Sequence, residues 1–218
     1  CQNHLFDALA AVAEAVAQPG ISNEYCLSCH GKPNQIETLP SGELRYLSID
    51  AGGYNASVHG SGGYACVQCH TTIREYPHPE STVQDLRDAT IQGSETCREC
   101  HEHNFELTHD SVHQAALAEG NRDAAVCADC HNPHYEKQLN NPTTDELWPN
   151  ARLAVPQMCA RCHSTIYDQY KQSVHGAALL GSGEQPGGSA DVPTCIDCHG
   201  VHAVVAVSYT HLRAHETK

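Results

Sequence analysis

Cys26-Leu27-Ser28-Cys29-His30 and Cys66-Val67-Gln68-Cys69-His70 are two of six occurrences of one pattern, C-x-x-C-H, whose reading decides the architecture. The others are Cys97, Cys100, His101; Cys127, Cys130, His131; Cys159, Cys162, His163; and Cys195, Cys198, His199. Two thiols three positions apart lie on one turn of backbone, with an imidazole directly after the second. The pattern takes in twelve of the 13 cysteines and leaves only Cys1 over.

Composition says what such a set is for. The 218 residues include 17 His but only two Phe, one Trp and one Met, so the apolar mass that fills an ordinary domain must come from elsewhere. A prosthetic group is the natural source, and C-x-x-C-H is the attachment signature of c-type haem. Its two thiols reach the two vinyl groups of one macrocycle, and the adjacent His reaches the iron. Structural zinc sites would use the cysteine pairs as halves of tetrahedral thiolate sets, but zinc has no need of a His fixed after every pair. Disulfide frameworks fail on the same point, and a thioredoxin-type redox pair accounts for one site, not six.

A haem held by one His needs a ligand on its other face, and the candidates repeat. Ser57-Val58-His59 lies between the first two sites, Ser111-Val112-His113 between the third and fourth, and Ser173-Val174-His175 between the fifth and sixth. A trailing His follows the second site of each pair: His78, His134 and His202. The unit is an attachment site, a Ser-Val-His, a second site and a trailing His, repeated three times. Six sites thus meet six spare His, and imidazole on both faces makes a six-coordinate iron that passes one electron with little rearrangement. A trailing His only three residues past its own site cannot easily swing to the far face of that haem, so it is expected to serve a neighbouring one. His4, His103, His109, His211 and His215 fall outside the repeat; His109 aligns with Lys171 of the third unit and is not expected to be a ligand. Met158 is the sole Met, which excludes a set of Met-ligated, high-potential haems.

The expected fold is mostly coil with short α-helices and little or no sheet, wrapped around a stacked chain of six covalently bound haems. Residues 1–20 form an N-terminal helix, with Leu5, Phe6, Leu9, Val12 and Val16 on one face. Residues 21–205 form the hexahaem domain as three two-haem repeats, about 21–92, 93–150 and 151–205, and 206–218 is a tail of doubtful origin. The spacing predicts helices over 105–119 and 164–180, each carrying a Ser-Val-His, and loops over the glycine-rich stretches 50–63 and 181–193. Roughly 36 residues per site leave too little protein to insulate one haem from the next.

A formal net charge of -14 argues against nucleic-acid binding, and no apolar run is long enough for a membrane-spanning helix. Two propionates per haem add further negative charge, for which solvent or a bound calcium ion would compensate. Cys1 admits three readings, a lipid anchor on the mature terminus, an intermolecular disulfide or a fragment boundary, with the first preferred. The last residues, from Val207 through His211 and His215 to Lys218, break from the repeat and look like translated adapter sequence.

These residues carry a family likeness. Six C-x-x-C-H sites, Ser-Val-His-Gly at 57–60 and 173–176 and Cys-His-Gly-Val-His at 198–202 resemble multihaem c-type cytochromes over about residues 21–205. Among these, the haem density resembles that of the subunits of extracellular cytochrome filaments (nanowires). The resemblance implies electron transport through stacked bis-His haems, at the cell surface or outside it, with copies of the same chain as partners. It also implies that a His of one subunit can ligate a haem of the next, for which His4 is the nominee. A monomeric periplasmic shuttle with redox partner proteins is the alternative reading. A multihaem oxidoreductase acting on nitrogen or sulfur oxyanions is a third, weakened by the absence of any C-x-x-C-K site.

Overall fold

The computed structural model of the protein describes residues 21–181, 188–189 and 191–206. The expected N-terminal helix over 1–20, with Cys1 and His4, and the tail from Val207 onward, with His211 and His215, lie outside the described residues. The described chain is about 49% helical with one two-stranded sheet, and among its residues no helix is long and apolar enough to cross a membrane.

The first repeat opens with α1 (Asn23–His30), capped by Ser22, whose hydroxyl accepts from the Tyr25 N–H. Strands β1 (Ile36–Thr38) and β2 (Leu44–Tyr46) follow as an antiparallel hairpin with Glu37 opposite Arg45, an ion pair across the register. Gly42 turns the hairpin at φ +89, a conformation that favours glycine. Then come α2 (Ala51–Asn55), α3 (Val58–Ser61) and α4 (Cys66–Cys69). The second repeat holds α5 (Leu86–Glu95), a 3₁₀ turn over Thr96–Glu99, α6 (Glu102–Leu107), α7 (Val112–Ala118) and α8 (Cys127–Cys130). The third holds α9 (Pro149–Ala160), α10 (Ser164–Gln172), α11 (Val174–Leu180) and α12 (Cys195–His199).

Two expectations need correction. The helices expected over 105–119 and 164–180 are each broken in two, at Ser111 and Ser173. Both serines are extended (φ -83, ψ 141 and φ -75, ψ 162), and their side chains accept from the N–H groups of His113 and Gly176. Serine competes well as an N-cap and poorly inside a helix, so the chain restarts there instead of running through. The stretch 50–63 is likewise two short helices rather than a loop, because Asp50 caps the N–H groups of both Gly52 and Gly53, and Ser57 that of Gly60.

The Ser-Val-His corner is therefore one construction used three times. The N–H of Ser57 donates to the Tyr54 carbonyl, that of Ser111 to Thr108 and that of Ser173 to Tyr170, all at 2.9 Å. In the first and third copies a glycine closes the corner: a Cβ on Gly60 would meet the Tyr54 carbonyl oxygen at 2.0 Å, and one on Gly176 the Tyr170 oxygen at 2.0 Å. We expect Gly60→Ala to destabilise the protein by roughly 1–3 kcal/mol, because backbone must move to admit the methyl group. Thermal melting followed by circular dichroism reads this out, and an unchanged midpoint would show that the corner relaxes freely.

The apolar core is sparse. Among the described residues the buried hydrophobic side chains are Leu39, Tyr54, Val83, Ala124, Ala151 and Leu179, spread over all three repeats, and only Leu179 has no exposure at all. Among the described residues no single hydrophobic centre unites the helices.

Candidate functional site

The six C-x-x-C pairs fall into two structural kinds. The second site of each repeat sits on a very short helix, α4, α8 or α12, whose third residue reaches back over the turn. Gln68 accepts from the Ala65 N–H at 2.6 Å, Asp129 from Val126 at 2.7 Å and Asp197 from Thr194 at 2.6 Å. In the second and third repeats an arginine from the helix that leads into the first site grips that aspartate. Arg87 pairs with both oxygens of Asp129 at 2.9 Å, and Arg152 with Asp197 at 2.8 Å. In the first repeat Asn23 of α1 plays this part, accepting from the Cys66 N–H at 2.8 Å. The two sites of a repeat are thus clamped together. Sequence reading missed these clamps, although an aspartate at the third position of Cys-x-Asp-Cys is their visible sign.

The histidines form facing pairs. His30 faces His78 with ring centres 6.0 Å apart, His70 faces His134 at 6.0 Å, His59 faces His101 at 6.1 Å, His113 faces His163 at 6.1 Å and His131 faces His202 at 6.3 Å. Each pair joins one C-x-x-C-H histidine to one spare histidine. The trailing His134 and His202 face sites of the preceding repeat, whereas His78 faces the first site of its own. His175 and His199 complete no such pair: among the described residues neither has a histidine ring opposite it, and His175 is exposed. His109 packs edge-on against Phe105 instead of facing a site histidine.

The separation fits a metal ion held between two imidazoles, since two metal–nitrogen bonds of about 2 Å and the two ring radii account for about 6 Å. Among the described residues no three His, Cys, Asp or Glu side chains gather to hold a bare ion. A macrocycle that brings its own four nitrogens would need only two imidazoles from the chain, which is what each pair offers.

Tautomers point the same way. Nδ1 of His30 lies 2.9 Å from the Leu47 carbonyl, that of His59 3.0 Å from Pro133, that of His78 2.7 Å from Glu75 and that of His199 2.9 Å from Val205. A carbonyl only accepts, so Nδ1 carries the proton and the Nε2 lone pair is left for a metal. Nδ1 of His131 faces the Glu136 carboxylate at 3.4 Å. Burial, the largest cause, pushes His70, His101, His113, His134 and His202 below the usual imidazole range. For the last four the facing ring adds to the effect, and the neutral form it favours is the one that ligates.

The thiols trace the order of the sites. Within each repeat the first cysteines meet. Burial and the adjacent Cys26 push Cys66 up to about 11, while hydrogen bonds from Cys97 and Cys159 hold Cys127 and Cys195 down to about 7. Between repeats, burial raises Cys69 and Cys130, and proximity to Cys100 and Cys159 respectively adds to it. Each site therefore neighbours the one that follows it in sequence. No family model matches the chain, and no curated protein or solved structure is significantly similar to it.

Proposed function

We propose that the protein conducts electrons through six covalently bound c-type haems lying in sequence order, outside the cytoplasm, as a subunit of an extracellular electron-transfer filament. The observation that carries this reading is the set of five imidazole pairs at 6.0–6.3 Å, each built on a C-x-x-C-H histidine. Each bound haem supplies a one-electron iron couple. The chain's own contribution is to attach the macrocycles through the cysteine pairs and to hold the imidazoles at fixed spacing through carbonyl bonds such as His30 to Leu47. Imidazoles so fixed would keep rearrangement on electron transfer small, and neighbouring thiol pairs would keep the macrocycles close. Propionates, with any calcium that bridges them, would face solvent in a chain already carrying net charge -14.

The reading is tested on protein matured in an exporting, haem-attaching host. We expect a pyridine haemochrome count of six per chain and electron paramagnetic resonance dominated by low-spin ferric haem. Fewer than five low-spin haems would overturn the axial pairing, and no covalent haem would overturn the reading altogether. A diffusible periplasmic carrier would share these spectra. The oxidoreductase reading draws on one observation: among the described residues no histidine ring lies opposite His199.

A further inference from the structure

Glu136 and Val204 hold the same place in two repeats. Each stands five residues past an attachment histidine, His131 or His199, and two past a trailing histidine, His134 or His202. Each offers its carbonyl to the Ser-Val-His corner of the preceding repeat: the Val58 N–H donates to Glu136 and the Val112 N–H to Val204, both at 2.9 Å. Valine meets this backbone role in one repeat, so the role does not account for a carboxylate at position 136.

The carboxylate is held as firmly as the backbone, and against a site histidine. Its Oε2 accepts from the Asn132 N–H at 2.9 Å and lies 3.4 Å from Nδ1 of His131. Only 19% of the Glu136 side chain is exposed, so water and salt screen its charge little. Among the described residues no lysine or arginine pairs with Glu136, and no other histidine faces a carboxylate at ion-pair distance. His30, His59, His78 and His199 all set Nδ1 against neutral backbone carbonyls instead.

We propose that Glu136 is a positioning residue of the fourth site, acting through His131 to make the iron held there harder to reduce than those of the neighbouring sites. The inference rests on the haem-conduit reading above. A carboxylate facing Nδ1 draws the ring proton toward itself and leaves more electron density at Nε2. That stronger donor, with a fixed negative charge behind it, favours the ferric over the ferrous state. The rings of the third and fifth sites, His101 with His59 and His163 with His113, face no carboxylate at ion-pair distance among the described residues. An electron crossing the chain therefore meets a step up at the fourth site, which fills after its neighbours and empties before them.

Spectropotentiometry of the fully loaded protein reads this, with His202→Met as the marker. His202 faces His131, so that substitution displaces the fourth site's couple upward and away from the other five. In this background Glu136→Gln should raise the displaced couple further. At a fixed potential its ratio of reduced to oxidised iron should grow at least tenfold, about 59 mV for a one-electron couple, with the other five couples unmoved. Glu136→Val, which copies the third repeat, should do the same. Without the marker, either substitution should move one couple upward and keep six low-spin haems.

A displaced couple that both substitutions leave in place would overturn the proposal. So would a shift spread over several couples, the mark of a loosened structure instead of a lost charge. Failure of both variants to attach six haems would give Glu136 a structural role in place of the electronic one; if only one fails, the other decides. A His202→Met protein in which no couple is displaced would instead indict the pairing of His131 with His202, and with it the haem-conduit reading.

Discussion

Produced without haem attachment, the chain will show no cooperative unfolding transition and no near-ultraviolet circular dichroism. The reason lies in what the protein buries. Of the described residues' hydrophobic side chains only six are buried, they are scattered through three repeats, and two of them are alanines. The helices cannot stand alone either: the longest, α9, has 12 residues and an internal Pro156, and α3, α4 and α8 have four each. Isolated helices shorter than about 12–15 residues are marginal in water. Six macrocycles would supply the missing apolar surface, and the histidine pairs that hold them would bring distant parts of the chain together, as a structural metal does in small domains. The expected loss is therefore the whole tertiary structure. Amide hydrogen exchange provides the check: haem-free protein should exchange throughout at rates near those of an unfolded chain. Protected amides in the α5 and α8 segments, joined by the Arg87–Asp129 pair, would show that the protein alone holds the clamp.

The site was legible in the sequence to the extent that its chemistry needs fixed residue types at fixed spacing. The haem attachment we propose demands two cysteines three apart and a histidine beside them, so all six motifs stand out. The Ser-Val-His triplets stand out because a serine cap, a small apolar residue and a ligand recur together. Partnership was not legible, because it depends on which repeat lies alongside which. His134 faces His70, 64 positions away, and His59 faces His101, 42 away. Those pairings follow from backbone bonds such as Val58 to Glu136, which leave no mark in residue type. The helix breaks at Ser111 and Ser173 were ambiguous for a different reason. The flanking residues favour helix on both sides, and only the extended serine backbone reveals that the hydroxyl has taken over the capping role. The asymmetry of the set, closed at its first site by His78 and, among the described residues, without a facing ring at its last, becomes visible only once every other pair is drawn.

In the proposed conduit, replacing His134 by Met will stop conduction while leaving all six haems attached. His134 faces His70, so the substitution alters the second site, which lies between the first and the third in the thiol row. A thioether in place of imidazole raises the haem potential, and axial ligation spans about 0.8 V across haem proteins, so a rise on the order of 0.2 V is expected at this one site. An electron reaching the second haem then sits in a well. At about 59 mV per tenfold for a one-electron couple, escape to either neighbour is disfavoured by roughly three orders of magnitude. Spectropotentiometry should show one of six couples displaced upward, with five unchanged. Electron flow between electrodes, or from a reductant to a particulate acceptor, should fall by about the same three orders of magnitude. The matching change at His109, which packs edge-on against Phe105 instead of facing a site histidine, should move neither quantity. If His134→Met displaces one couple but flow is undiminished, electrons bypass the second site and the haems do not act as a single row. If no couple moves, His134 is not the ligand and the facing pair with His70 has another role.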